Sequence, residues 1–376
     1  MPTSRRAPPE STHPAAATCL VLPALLSLFC IDASQAQDLG KLRFSGDFRL
    51  RYEYTSEANG SPQTGKEVVR LRAGIAYPLN DWATVRARAA TGSPDDPNST
   101  DITLGQFVND LAVSLDVASV ELTRPHWALY GGKFANPFLT TELVWDGDVN
   151  PGGVAGRVML GRTEAVTGSL TALYFVIDQQ PNDLSSDMGG GQLAVSARAG
   201  SQWKLTAAGA YYDYRIRNLT AADAGDIRTN RLAPSGMAYR SDFDLLDAIV
   251  ALDYSGFGER FPVRVVGDYV RNLAVDDGPD TAWWIDVFAG RLQGPGQVRG
   301  RYGYALVEID AVLAAFAHDN TTIGSNSETH TLAMDVIPTK GFLLNATLYH
   351  FRPHEVAVGT DREFQTRLRL NATVAF

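Results

Sequence analysis

Phe364-Gln-Thr-Arg-Leu-Arg-Leu-Asn-Ala-Thr-Val-Ala-Phe376 ends the chain. Leu368, Leu370, Ala372, Val374 and Phe376 alternate with Arg367, Arg369, Asn371 and Thr373. A period of two belongs to a strand with one oily and one wet face. An aromatic at the terminus suits a sheet with lipid outside and water inside. In hydrocarbon an unpaired backbone group costs several kcal/mol, so such a strand tolerates no open edge. In a single closed barrel its partner is the first strand of the chain. A half-buried strand ending a soluble sandwich would carry the same pattern, so the other segments decide.

The first of them is Leu42-Arg-Phe-Ser-Gly-Asp-Phe-Arg-Leu-Arg-Tyr-Glu-Tyr54. Leu42, Phe44, Phe48, Leu50, Tyr52 and Tyr54 share one face; Arg43, Asp47, Arg49, Arg51 and Glu53 share the other. No sandwich core would bury the charged face, and few soluble proteins would expose so regular an aromatic one. Val69, Leu71, Ala73, Ile75 and Tyr77 then alternate with Arg70, Arg72 and Gly74, and Val85, Ala87 and Ala89 with Arg86 and Arg88. The same rule predicts strands near 109–120, 126–134, 152–162, 168–178, 190–200, 202–213, 245–255, 260–271, 281–291, 297–309, 327–337, 341–352 and 363–376, about sixteen in all. Connections alternate in length. Short turns such as 78–81, 122–125 and 200–201 are interleaved with long loops such as 91–108, 135–151, 214–244 and 310–326. Short periplasmic turns opposite long extracellular loops mark a transmembrane antiparallel β-barrel, and an even strand count puts both termini in the periplasm. Trp82, Trp127, Tyr211, Tyr212, Trp283, Trp284 and Tyr349 fall near strand ends, as interfacial girdles require.

At the amino end, Arg5 and Arg6 precede an apolar run from Ala15 to Cys30 and the small-x-small site Ser34-Gln35-Ala36. Residues 1–36 read as a signal peptide and 37–376 as the barrel domain. Both cysteines, Cys19 and Cys30, lie in the leader, so the remaining chain has no thiol for disulfides, metals or nucleophilic chemistry. Loss of the leader leaves the net charge at −9, which offers no basic excess for nucleic acid.

The stretches Gly46-Asp-Phe-Arg-Leu-Arg-Tyr-Glu-Tyr54, Gly132-Lys-Phe-Ala-Asn-Pro-Phe138, Val144-Trp-Asp-Gly-Asp-Val-Asn-Pro-Gly-Gly153 and Tyr302-Gly-Tyr-Ala-Leu-Val-Glu-Ile-Asp310 resemble the putative porin family of Gram-negative outer membranes. So does Val85-Arg-Ala-Arg-Ala-Ala-Thr-Gly92. The resemblance covers nearly all of the chain after the leader and implies a pore-forming barrel in the cell outer membrane. It brings no catalytic or binding residues. Asn109–Ser119 departs from the pattern in lacking an aromatic.

A barrel of this size leaves an aqueous channel, whose chemistry is that of its lining. Arg43, Asp47, Arg49, Arg51, Arg70, Arg72, Arg86 and Arg88 are the expected pore-lining set. Arginines side by side repel unless they face water, anions or carboxylates. Glu142, Asp146 and Asp148 in the third long loop are expected to fold inward across from this wall, forming a constriction with a transverse field. The competing reading pairs the arginines with wall carboxylates that hold the barrel's shape. Asp146-Gly-Asp-Val-Asn150 begins like a calcium loop, but Pro151 stands where Gly is needed and Arg157 where the last Glu is needed. His126, His318, His330, His350 and His354 sit in no nucleophile motif, so an enzyme is not expected. The functional expectation is passive diffusion of small hydrophilic solutes or ions through a lipid-embedded barrel, with no cofactor. Architecture alone suggests a homotrimer. The alternative is a plugged barrel acting as a surface receptor or adhesin through its long loops.

Overall fold

The computed structural model describes residues 40–376 other than 59, 97, 106–109, 164, 182–184, 277 and 358–361. The expected leader 1–36, with Cys19 and Cys30, lies outside the described residues. The barrel unit runs from Arg43 to Phe376.

Among the described residues there are sixteen long strands: β1 (Arg43–Thr55), β2 (Thr64–Pro78), β3 (Ala83–Thr91), β4 (Val113–Arg124), β5 (Trp127–Lys133), β6 (Gly152–Arg162), β7 (Val166–Asp178), β8 (Ser186–Ala199), β9 (Trp203–Arg215), β10 (Phe243–Tyr254), β11 (Val263–Asn272), β12 (Thr281–Gly290), β13 (Gln297–Val307), β14 (Ser327–Thr339), β15 (Phe342–Pro353) and β16 (Gln365–Ala375). Each pairs antiparallel with its neighbours, and β16 closes onto β1 from Asp47↔Ala375 to Thr55↔Arg367. The terminal Phe376 exchanges backbone hydrogen bonds with Gly46, at 2.9 and 3.1 Å. The edge that hydrocarbon forbids is thereby removed.

The alternation read from the sequence is the alternation of the wall. Phe44, Phe48, Leu50 and Tyr52 lie on the outer surface, while Arg51 and Glu53 turn inward and are buried. Trp82, Trp127, Tyr211 and Trp283 face outward as girdle residues. Tyr212, Trp284 and Tyr349 do not: they share the inward register and are buried in the lumen. Two strands begin four residues from their expected places, β8 at Ser186 rather than near 190 and β4 at Val113 rather than near 109. The pairing of β4 with β3 carries a bulge at Asp116, opposite Arg88/Ala89. Above the short β3, a two-residue strand, Ile102–Thr103, takes β3's place beside Val68 and Val69 of β2. Leu111, Val113 and Leu115 carry the apolar alternation across the strand start, so the sequence does not mark where the ladder begins.

The seam between β1 and β16 also carries a buried charge cluster. Glu53 accepts Arg369 Nε at 2.6 Å and lies 3.3 Å from Lys66 and 3.5 Å from Arg367. Removing the one carboxylate would leave two buried guanidiniums under-compensated. Glu53→Ala is expected to cost about 3 kcal/mol of unfolding free energy in denaturant titrations. Glu121→Ala, which breaks the more exposed pair with Arg86, is expected to cost under about 1 kcal/mol.

Candidate functional site

The lumen is built from inward-pointing residues of the strands and from loops that turn into it. Register sets the wall: Arg49 lies directly opposite Arg70, and Asp47 opposite Arg72. Like charges opposed across a ladder destabilise it, and here carboxylates bridge them. Asp47 accepts Arg70 at 2.8 Å and Arg72 at 2.7 Å. Arg49 and Arg51 both bind Asp101, the latter at 2.6 Å, and Arg51 Nε donates to Asn371 at 2.7 Å. Arg86 pairs with Glu121 and Arg88 with Asp116, each at 2.7 Å. Arg43, at the periplasmic end of β1, is exposed. Six of the seven expected arginines are thus neutralised by a carboxylate in contact, and Arg51 and Arg70 are buried.

The second loop, residues 92–112, supplies Asp101, a group with no distinguishing mark in the sequence. Its docking is secured by Thr91 Oγ1, which accepts Leu71 N–H at 2.9 Å and donates to the Thr100 carbonyl at 2.8 Å. Burial works to raise the Asp101 pKa, but Arg51 and Arg49 outweigh it and hold the carboxyl below the usual range.

The third loop, residues 134–151, leaves β5 at Gly132. There φ is +103°, and a Cβ would strike the Ala118 carbonyl of β4. The loop then crosses the lumen. Leu139 N–H donates to Gln192 of β8 at 2.8 Å, Thr141 hydroxyl donates to Asp268 of β11, and Asp148 accepts Arg72 of β2 at 3.0 Å. Of the three expected acids, Asp148 alone meets the arginine wall. Glu142 accepts the Asn320 side-chain amide at 2.6 Å, in a different loop. Asp146 turns back on its own backbone, accepting Asp148 N–H at 2.8 Å. Burial, then Asp319 and Glu142, push its pKa well above the usual carboxylate range. The reason lies between the acids: Leu143, Val144, Trp145 and Val149 are buried, and their packing fixes which way each carboxylate points.

Their partner is the seventh loop, residues 308–326. Phe316 stacks on Trp145 with centroids 5.9 Å apart and approaches Phe175 at 5.3 Å. Ala311–Ala317 is buried throughout. Its backbone is satisfied by the fifth loop, residues 216–242. Asn230 Nδ2 donates to the Val312 carbonyl at 2.9 Å, and Arg228 Nη1 donates to the Ala314, Ala317 and His318 carbonyls at 3.0 to 3.2 Å. His318 packs edge-on to Trp284 at 5.3 Å, and burial drives its pKa down to about 3, with Arg228, Arg369 and Arg301 adding to the effect. The imidazole is therefore neutral and serves packing. Arg367 and Arg369 of β16 receive this loop through Asn320 and Asp319. Both arginines stand in the final strand's wet face, so their inward direction was legible although the loop they hold was not.

The lumen accordingly has two halves. From β7 to β13 its extracellular part is apolar, with Leu173, Phe175, Met188, Tyr212, Phe243 and Leu245 in one core with the third and seventh loops. From β14 round to β4 it is charged and hydrogen-bonded. Below the loops a pocket of 260 Å³ opens between Thr141, Glu142, Arg264, Asp286 and Arg301.

The chain is thus a closed antiparallel barrel of sixteen long strands among the described residues, with an apolar exterior and a lumen narrowed by inturned loops. Residues 55–222 match the family described as "Putative porin". Solved structures similar in fold include the high-pH structure of Pseudomonas putida OprB, at 13% identity, TM-score 0.61, covering 92% of this chain and 96% of that one. Salmonella typhi OmpF in complex with daunomycin matches at 11% identity and TM-score 0.55, over 89% and 97%. The trimer form of Vibrio cholerae OmpT matches at 10% identity and TM-score 0.51, over 89% and 99%. No curated protein matches the chain.

The lowered Asp101 pKa has a definite sign. A carboxyl depressed in the folded state contributes stability above its ordinary value of 3.8 and loses it as pH falls through the lower folded value. Hydrogen exchange of second-loop amides, corrected for intrinsic rates, is expected to stay slow from pH 7 to pH 5. It should accelerate only below the ordinary carboxylate value. In Asp101→Asn it should be fast already at neutral pH.

Proposed function

We propose that the protein is a passive diffusion porin for small hydrophilic solutes or ions, in which the arginine wall acts chiefly as a latch for the inturned loops. The observation that carries this reading is the contact of Asp148 and Asp101 with that wall at hydrogen-bond distance. A water-filled gap between arginines and third-loop acids would support a transverse field acting on solute. Direct pairing instead spends that field on holding the second and third loops, and it leaves the water-facing role to less covered groups such as Arg86, whose side chain is 47% exposed. Solute size is then limited by how far the loops fill the lumen. Concentration gradients drive the flux, so the reading requires no cofactor or nucleotide. Lipid is the partner of the outer face, and the trimer form of the similar Vibrio cholerae protein supports a homotrimer.

The test is the single-channel conductance of Asp101→Asn/Asp148→Asn in a planar bilayer. The latch reading expects larger and noisier open steps than wild type, because both loops lose their anchors. Steps of unchanged size and noise, with ion selectivity altered instead, would favour a field across an open constriction and reject the latch. A folded barrel that gives no steps in either form would reject the porin reading.

A further inference from the structure

The chain's net charge of −9 suggests an acidic channel, but charge is not distributed evenly through the molecule. Where the arginine wall is neutralised, the opposite side of the periplasmic mouth is not. Lys204, near the start of β9, lies directly opposite Arg198 of β8 on one side and Asp253 of β10 on the other. Asp253 is in turn taken by Arg264 of β11 at 2.9 Å. Along this row, from β8 to β11, three cations accompany one carboxylate. Among the described residues no carboxylate lies in ion-pair contact with Arg198 or Lys204.

The row faces the lumen. In the next pair up the ladder, Ser196 and Thr206 hydroxyls hydrogen-bond at 2.9 Å, and Thr206 is buried, while Leu205 beside it is on the outer surface. Arg198 and Lys204 have the parity of Ser196 and Thr206. A third cation, Arg157 of β6, lies deeper on the inward face. Its Nε donates to the neutral Thr171 hydroxyl at 3.1 Å, and it too has no carboxylate in ion-pair contact among the described residues.

Opposed like charges cost a ladder stability unless water or a counter-ion compensates them. The one carboxylate on this row, Asp253, is engaged by Arg264, which leaves the Arg198–Lys204 pair open to compensation by anions in the channel. Confinement decides how far the effect reaches. Charges on the open extracellular loops are screened over about 8 Å in physiological salt, whereas a narrow, low-dielectric-walled mouth focuses the field of the groups that line it.

We infer that Arg198 and Lys204 in the periplasmic vestibule, with Arg157 deeper in the lumen, make the pore selective for anions and provide a docking row for small inorganic or carboxylate anions. This rests on the porin reading above and adds to it the class of solute favoured. It also moves the selectivity filter away from Arg49 and Arg70, whose charges are already met by carboxylates.

The experiment is the reversal potential of purified protein in a planar bilayer under a potassium chloride gradient, for wild type and for Arg157→Gln/Arg198→Gln/Lys204→Gln. The inference expects a wild-type potential of the sign given by chloride permeation. In the triple variant it should shift toward zero while discrete steps persist. A second variant, Arg215→Gln/Asp187→Asn, removes one charge of each sign from an outward-facing ion pair at the extracellular ends of β8 and β9 and should keep the wild-type sign of selectivity. Heat-modifiable migration on gels establishes that each variant is a folded barrel. Discrete steps with cation selectivity in wild type would overturn the inference and leave the porin reading intact. Anion selectivity unchanged in the folded triple variant would overturn the assignment to these residues. Absence of steps from folded wild-type protein would overturn the porin reading, and this inference with it.

Discussion

The constraint on which everything else depends is that backbone N–H and C=O groups in hydrocarbon must all be paired. It forces the last strand onto the first, and the register of β1 against β16 then fixes which face of every strand meets lipid. Once that face is set, period-two alternation sends every intervening residue inward. The arginines of β1, β2 and β16 are therefore crowded into a confined space by topology, and crowding creates the electrostatic problem that the loops resolve. Asp101 and Asp148 arrive from two different loops at one patch of wall, and Asp319 and Asn320 arrive from a third at its edge. Charge neutralisation and loop position are the same event.

The apolar half of the lumen completes this arrangement. A long extracellular loop pulled inward by one ion pair would still be mobile, because a single partly exposed pair contributes about 1 kcal/mol or less. Trp145 and Phe316 add a buried aromatic contact between the third and seventh loops, and Asn230 and Arg228 of the fifth loop satisfy the backbone that this burial would otherwise strand. The loops are consequently held from both sides, by charge at β16–β2 and by apolar packing at β7–β13.

Much of the barrel was legible in the sequence because alternation is local: residues such as Phe48/Arg49 and Leu370/Arg369 declare their faces without knowledge of their partners. The misplacement of β4 came where alternation runs on past the strand, at Leu111 and Val113. The site was legible in part. The wall arginines lie where their parity puts them, but whether a wall arginine faces water or a carboxylate depends on loop contacts distant in sequence. Asp101 lies 52 residues from Arg49, and nothing in its neighbourhood distinguishes it from Asp95 or Asp96. The same holds for the girdle: Tyr211 and Tyr212 are adjacent aromatics, and only the inward core tells which of them belongs to lipid and which to the lumen.

The most direct test of the account is the reactivity of single cysteines toward a membrane-impermeant thiol reagent, with Cys19 and Cys30 replaced. Ser45 lies on the inward face of β1 in the open periplasmic part, whereas Thr55 and Thr329 lie on inward faces under the inturned loops and are almost wholly buried. Reagent applied from the periplasmic side should modify Ser45→Cys rapidly and leave Thr55→Cys and Thr329→Cys protected. Comparable rates at all three positions would mean that the loops do not occupy the lumen, and the latch at the arginine wall would have to be abandoned.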